Sequence, residues 1–133
     1  MILIYILISL FLISVIFNYF PIGTYMAAKV SGLDLTILDL AKYKHRKYPI
    51  HDLINFNIEL SNIGINIKFS NLAELYKANV DLENVVNGLI AAKQINLPLS
   101  LEQACMADKQ GIDIKLAISD KKKIVDEDKS IKI

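Results

Sequence analysis

Few residues in this 133-residue chain stand where their types and spacing could do chemistry. His45 and His51 lie on either side of Pro49, with no Cys or third His close by. Metal centres draw on three or four such ligands, so two isolated imidazoles do not make one. Cys105 shares a helical face with Leu101 and Ala104, and no base stands at a readable spacing to activate it. A buried, inert thiol is expected there. As the single cysteine it cannot close an intramolecular disulfide, which suits a reducing cytoplasm. Carboxylates are scattered as on any solvated surface, and the five glycines, at 23, 32, 64, 88 and 111, build no phosphate-cradling loop. No paired acid and base can be assembled, so no enzyme, catalytic residue, cofactor or metal is expected.

What the sequence does carry is a sharp separation of apolar from charged residues. Mean hydropathy is +0.38, and 53% of residues are hydrophobic although 22% are charged. The first 28 residues hold no charged side chain. Among them Ile2, Leu3, Ile4, Ile6, Leu7, Ile8, Leu10, Phe11, Leu12, Ile13, Val15, Ile16 and Phe17 form an apolar run interrupted by Ser9 and Ser14. Those hydroxyls can bond back to carbonyls of their own helix. Counted through Ile22 the run gives about 21 uncharged residues, against the ~20 needed to cross a ~30 Å hydrocarbon core. Residues 1–28 are therefore expected to form a membrane anchor, with Tyr19 and Tyr25 at the interface and Pro21 and Gly23 ending the helix. A cleaved signal peptide is the weaker reading. No Lys or Arg lies near Met1, and the apolar core exceeds the ~7 to 15 residues of a signal sequence.

Basic residues cluster just after the anchor. Lys29, Lys42, Lys44, Arg46 and Lys47 outnumber Asp34 and Asp39 within residues 1–48. The positive-inside rule then puts the chain after about residue 29 in the cytoplasm of a membrane-bound protein, whether the anchor spans or only dips into the bilayer. Residues 29–48 read as an interfacial segment. Leu33, Leu35 and Ile37 alternate as in a strand, whereas Leu33, Ile37, Leu40 and Ala41 share a helical face, and an interfacial helix over 32–48 is favoured. Lys42, Lys44, Arg46 and Lys47 would contact anionic lipid headgroups, each cation contributing on the order of 1 kcal/mol. A solvated charge run is the competing reading.

From Pro49 the sequence repeats one device. Gly64-Ile65-Asn66-Ile67, Asn79-Val80-Asp81-Leu82, Asn96-Leu97-Pro98-Leu99 and Gly111-Ile112-Asp113-Ile114 each open with a residue that tolerates the left-handed conformation ending a helix. Each follows it with an apolar, then a polar or proline, then an apolar residue. These are read as helix joints, with Gly64, Asn79, Asp81, Asn96 and Gly111 as their key positions. Asn71-x-x-Glu74 and Ser100-x-x-Gln103 resemble capping boxes, and Asp81 is a good N-cap. Leu82, Val85, Val86, Leu89 and Ile90 make an amphipathic stripe. Leu72, Leu75 and Tyr76 repeat it over a shorter helix, and Ile50, Leu53, Ile54 and Ile58 do so after Pro49. The expected fold is all-α: an N-terminal membrane helix, then a small bundle of short helices over 49–119, the joints being too few to define a solenoid. Residues 120–133, mixed in charge, are expected to be a mobile tail.

Residues 49–119 hold more carboxylates than lysines, which argues against nucleic acid as a partner. Ala78-Asn79-Val80-Asp81-Leu82-Glu83-Asn84-Val85-Val86-Asn87-Gly88-Leu89-Ile90-Ala91-Ala92 resembles a segment of the bacterial flotillin-like FloA family, where an Asn-Val-Asp run leads into Val-Val-Asn-Ala-Leu-Ile-Ala-Ala. Gly64-Ile65-Asn66-Ile67, Leu75-Tyr76, and Ala107-Asp108 with Gly111 and Asp113 are similar to further family features. Gly88 stands where the family has alanine, which is expected to weaken an exposed helix by about 1 kcal/mol. The resemblance implies a membrane-bound scaffold that organises membrane microdomains, with a homo-oligomer or a flotillin-like protein as partner. The family continues into a β-rich domain and a coiled-coil region, and this sequence is expected to stop before both. The alternative is a membrane-tethered protein-binding module, or a truncated or split remnant without scaffolding activity of its own.

Overall fold

The computed structural model describes residues 1–121, and every regular element among them is a helix. In chain order these are α1 (Ile2–Tyr19), α2 (Ile22–Val30), α3 (Ile37–His45), α4 (Ile50–Asn62), α5 (Phe69–Lys77), α6 (Leu82–Gln94) and α7 (Leu101–Lys109), followed by a helical stretch at 114–121. The all-α expectation, an apolar N-terminal helix followed by short ones, is met. The chain falls into two compact units, residues 1–54 and the residues from 55 onward. Of the charged tail expected over 120–133, residues 120 and 121 continue the last helix and the rest lies outside the described residues.

In the first unit, α1 contains no Gly, Pro or charge to interrupt it and runs for 18 residues, about 27 Å at the ~1.5 Å rise of an α-helix. It stops because Phe20, the residue before Pro21, is forced extended at φ −101° and ψ 119°. The helix is thus shorter than the uncharged run, and Gly23 lies inside α2 instead of ending α1. Thr36 starts α3 with a capping box: its hydroxyl accepts from the Asp39 N–H at 3.2 Å, and the Asp39 carboxylate accepts from the Thr36 N–H at 3.2 Å. The helix expected over 32–48 therefore begins only at Ile37, and the alternation of Leu33 and Leu35 belongs to the extended stretch before the cap. α2 packs on α3, where Ala28 and Leu40 are fully buried. Tyr43 and Tyr48 meet edge to face, with ring centroids 5.4 Å apart.

The second unit is built on α6. Leu82, Val85, Val86 and Leu89 are buried, with Ile90 half-buried, and α6 packs against α7 through Ala104. Asp81 caps α6 by accepting from the Asn84 N–H at 3.1 Å. Ser100 and Gln103 form a reciprocal capping box on α7. α5 departs from the sequence reading. It begins at Phe69 behind Lys68, with no side-chain cap, so Asn71 and Glu74 lie within the helix. Burying Phe69, worth about 1.5–3 kcal/mol, outweighs the ~1 kcal/mol of a cap. The buried face is Phe69, Leu72 and Ala73, which leaves Tyr76 exposed.

Gly64, Asn79, Asn96 and Gly111 stand at φ 84°, 58°, 54° and 73°. At each, the residue's N–H donates to the carbonyl three before it, and the next N–H reaches five back, as in Gly64 to Ser61 and Ile65 to Leu60. This doubly bonded ending satisfies carbonyls that a helix terminus leaves open. Gly32 (φ 75°) and Lys47 (φ 61°) make the same two bonds upstream. Gly32, Gly64 and Asn96 stand 32 residues apart, and so do Lys47, Asn79 and Gly111. One helix pair is therefore written repeatedly along the chain: the four downstream joints already carry the 32-residue period, from 64 to 96 and from 79 to 111, and Gly32 and Lys47 extend it upstream.

Candidate functional site

The largest chemical feature of the first unit is the surface of α1. None of its residues is buried. All the anchor residues read from the sequence lie on it and are exposed, from Ile2 at 78% to Val15 at 39%. The helix is long and apolar enough to cross a membrane. Beyond it, Met26 and Val30 on α2 and Leu38 on α3 also expose apolar surface.

The basic residues occupy the end of α3. Lys42 and Lys44 lie in its last turn, Arg46 is its C-cap, and Lys47 is the left-handed residue beyond. All four are exposed. Cations here complement the negative end of the helix dipole, which is sufficient reason for their presence in a purely structural sense. Lys44 does more: its ammonium donates to the backbone carbonyl of Asn18, near the end of α1. Beside that bond lies a groove of about 470 Å³ lined by Asn18, Tyr19, Ala41, Lys44, His45 and Lys47. Lys42 and Arg46 are not part of its lining. The sequence reading marked the cations and put Tyr19 at the interface, but it missed Asn18 and the meeting of the two segments, because nothing local signals that α3 returns to the end of α1. Nor did it mark the Thr36 cap, whose hydroxyl donates to Asp39 at 2.6 Å. The bonds from Thr36 hold the Asp39 carboxyl below its ordinary pKa.

The second unit is joined by one polar clamp. Asn84 on α6 donates through Nδ2 to Asp108 Oδ1 at 2.8 Å and to the Ile112 carbonyl at 2.9 Å, while its Oδ1 accepts from the Ile114 N–H at 3.1 Å. Asp108 Oδ2 accepts from the Asp81 N–H at 3.0 Å, so one carboxylate ties the α6 start to α7. The joint residues Asp81 and Gly111 both border this clamp, within a groove that Glu83, Asn87 and Asp113 also line. Cys105 is half-buried, and burial, followed by the nearby Asp108 charge, pushes its thiol above the ordinary value. That favours an unreactive thiol over a nucleophile. Among the described residues no group of three or more His, Cys, Asp or Glu is placed to hold a metal ion.

Comparison with known proteins fits the chain to one family. The family model described as flotillin-like protein FloA matches residues 1–129. The curated FloA of Dictyoglomus turgidum is 33% identical over 117 residues, covering 87% of this chain and 35% of that protein. Its counterpart in Protochlamydia amoebophila is 33% identical over 113 residues, 84% of this chain and 32% of the relative. That of Bacteroides thetaiotaomicron is 31% identical over 103 residues, 77% and 31% respectively. The chain thus spans about a third of the length of these relatives. No solved structure matches it. With the match running from the exposed apolar helix through every joint described above, this chain belongs to the flotillin-like FloA family.

Proposed function

We propose that this chain anchors a flotillin-like scaffold in the cell membrane, with residues after about 29 on the cytoplasmic side. In this reading α1 lies in the bilayer and residues 29–48 lie along the interface. The helices from 49 onward present a surface to a second copy or a flotillin-like partner, and so help to organise a membrane patch. The observation that carries the reading is α1, an apolar helix of 18 residues with none buried. Fully burying each such side chain is worth about 1.5–3 kcal/mol, so leaving the whole helix in water would be strongly unfavourable. Lys42, Lys44, Arg46 and Lys47 then meet anionic headgroups. Fractionating cells that express the chain with and without residues 1–28 tests the proposal. The full chain is expected in the membrane fraction and the shortened one in the soluble fraction; a soluble full chain refutes it.

A second reading is a membrane-tethered binding module with no scaffolding activity of its own. The separate hydrophobic core of the second unit, from Leu60 to Ile118, favours it. Crosslinking in membranes separates the two, since a scaffold yields ladders of this chain and a tethered module yields none.

A further inference from the structure

We infer that the groove between the end of α1 and the last turn of α3 is a site for the phosphodiester of a single anionic glycerophospholipid. The inference rests on the reading that α1 lies in the membrane, and it replaces a diffuse basic surface with one defined place.

Of the residues lining the groove, Lys44 and Lys47 are basic and none is a carboxylate. Its volume of about 470 Å³ lies within the ~300–1,000 Å³ of small-molecule sites. Lys44 is held in place by its bond to the Asn18 carbonyl, and an ammonium has further N–H donors to offer a phosphate. Lys47 is fixed through its backbone, because the α3 joint requires it to hold the left-handed conformation at φ 61°. Asn18 and Tyr19, whose side chains can donate hydrogen bonds without carrying charge, line the same groove. Two basic side chains in a lining that holds no carboxylate suit a phosphodiester and disfavour a divalent cation.

The apolar surface beside the groove selects a lipid over soluble phosphate. Ile13, Ile16 and Phe17, in the α1 turns before Asn18 and Tyr19, are 47%, 50% and 65% exposed. A ligand whose phosphate is held at Lys44 and Lys47 can lay its acyl chains along that surface. The groove therefore sits where a polar headgroup and its hydrocarbon meet.

Lys42 and Arg46 supply the internal control, because they carry the same charge on the same stretch but lie outside the lining. The test places the full chain in phosphatidylcholine nanodiscs with or without phosphatidylglycerol. Phosphatidylglycerol retained per chain after gentle extraction is counted by native mass spectrometry. The intact chain is expected to retain one phosphatidylglycerol in preference to phosphatidylcholine. Lys44→Gln with Lys47→Gln is expected to reduce that retention at least about tenfold, since each lost charge-assisted bond weakens binding substantially. Lys42→Gln with Arg46→Gln is expected to weaken the general attraction to an anionic surface but to leave the one retained phosphatidylglycerol in place. Equal loss in both pairs overturns the site in favour of diffuse electrostatics. Displacement of the lipid by inorganic phosphate or glycerophosphoglycerol at equal concentration overturns its lipid character. Insertion into pure phosphatidylcholine nanodiscs is scored separately: a chain that inserts without lipid preference defeats only this site, whereas a chain that does not insert defeats the anchoring proposal as well.

Discussion

Gly88 on α6 lies so close to Ile114 that a methyl group at position 88 would come within 2.4 Å of Ile114 Cγ2 and 2.6 Å of its Cβ. Gly88 is buried, so its packing against Ile114 outweighs the ~1 kcal/mol that glycine costs a helix relative to alanine. The missing side chain is what lets the helical stretch at 114–121 approach α6. The branched side chain of Ile114 takes up the room that a methyl group at position 88 would need. Gly88→Ala is expected to destabilise the second unit by about 1–3 kcal/mol through overpacking, despite the better helix propensity of alanine. Adding Ile114→Ala is expected to remove that interaction, so the double variant is more stable than the sum of the two single changes. Urea unfolding of all four proteins, followed by circular dichroism, measures it. Additive effects would mean the two residues do not press on each other.

The Asn84 clamp gives a second prediction. Asn84→Ala removes bonds to Asp108, Ile112 and Ile114 at once. A loss of about 1–3 kcal/mol is expected, since the partners lose satisfied bonds in a part-buried place. Cys105 on α7 is a built-in reporter, because its thiol reacts slowly while half-buried and protonated. Its labelling rate at neutral pH is expected to rise in Asn84→Ala and to stay unchanged in the exposed-site variant Glu102→Gln.

Glycine-to-alanine changes should have opposite signs at two exposed positions. Gly64 stands at φ 84°, and Gly64→Ala is expected to cost about 1–2 kcal/mol although nothing crowds the site. Gly23 lies inside α2 with nothing within 4 Å, and Gly23→Ala is expected to stabilise that helix by about 0.5–1 kcal/mol. Thermal melts of the two variants in the same detergent compare them directly.

Asp39 sets an acid limit on the start of α3. Its carboxyl is held below the ordinary value of 3.8 by the bonds from Thr36. The cap therefore contributes its full share above that value and loses it as pH falls through the lower folded-state pKa. Protection of the Leu40 amide, taken as its exchange relative to the intrinsic rate at each pH, is expected to fall in acid in the native chain. In Asp39→Asn the acid-dependent part should vanish, and a persistent acid response would assign it to another group.

Leu10 lies near the middle of α1. Leu10→Lys is expected to cost about 2.5–3.5 kcal/mol of membrane insertion, on the order of a hundredfold in partitioning. Membrane flotation measures it, and Met26→Lys at the exposed face of α2 serves as the milder comparison.

The sequence made the helices legible where the signal was local. The α6 stripe, the Ser100 box and the Asp81 cap each depend on residues within a turn or two, and α6 and α7 begin where those residues stand. At α5 a buried Phe69 overrode the polar Asn71 and Glu74 pattern. Tertiary placement stayed hidden for a different reason. Asn84 finds partners 24 to 30 residues away, and Lys44 finds Asn18 across 26. No periodicity encodes such meetings. Lys47 was read as a headgroup contact alone, because lysine is not a usual left-handed residue, and its role as a helix joint went unread.

The recurrence of one doubly bonded ending at 32-residue intervals means that the backbone turn at one joint can stand in for the turn at its equivalent. Excising 64–95 would splice Ile63 to Asn96, so one left-handed residue replaces another at the turn, while α5, α6 and the Asn84 clamp leave with the excised pair. Removing only half that length would join helices of unlike role. Such a gene could grow or shrink by whole pairs, each event leaving a chain whose turns still close.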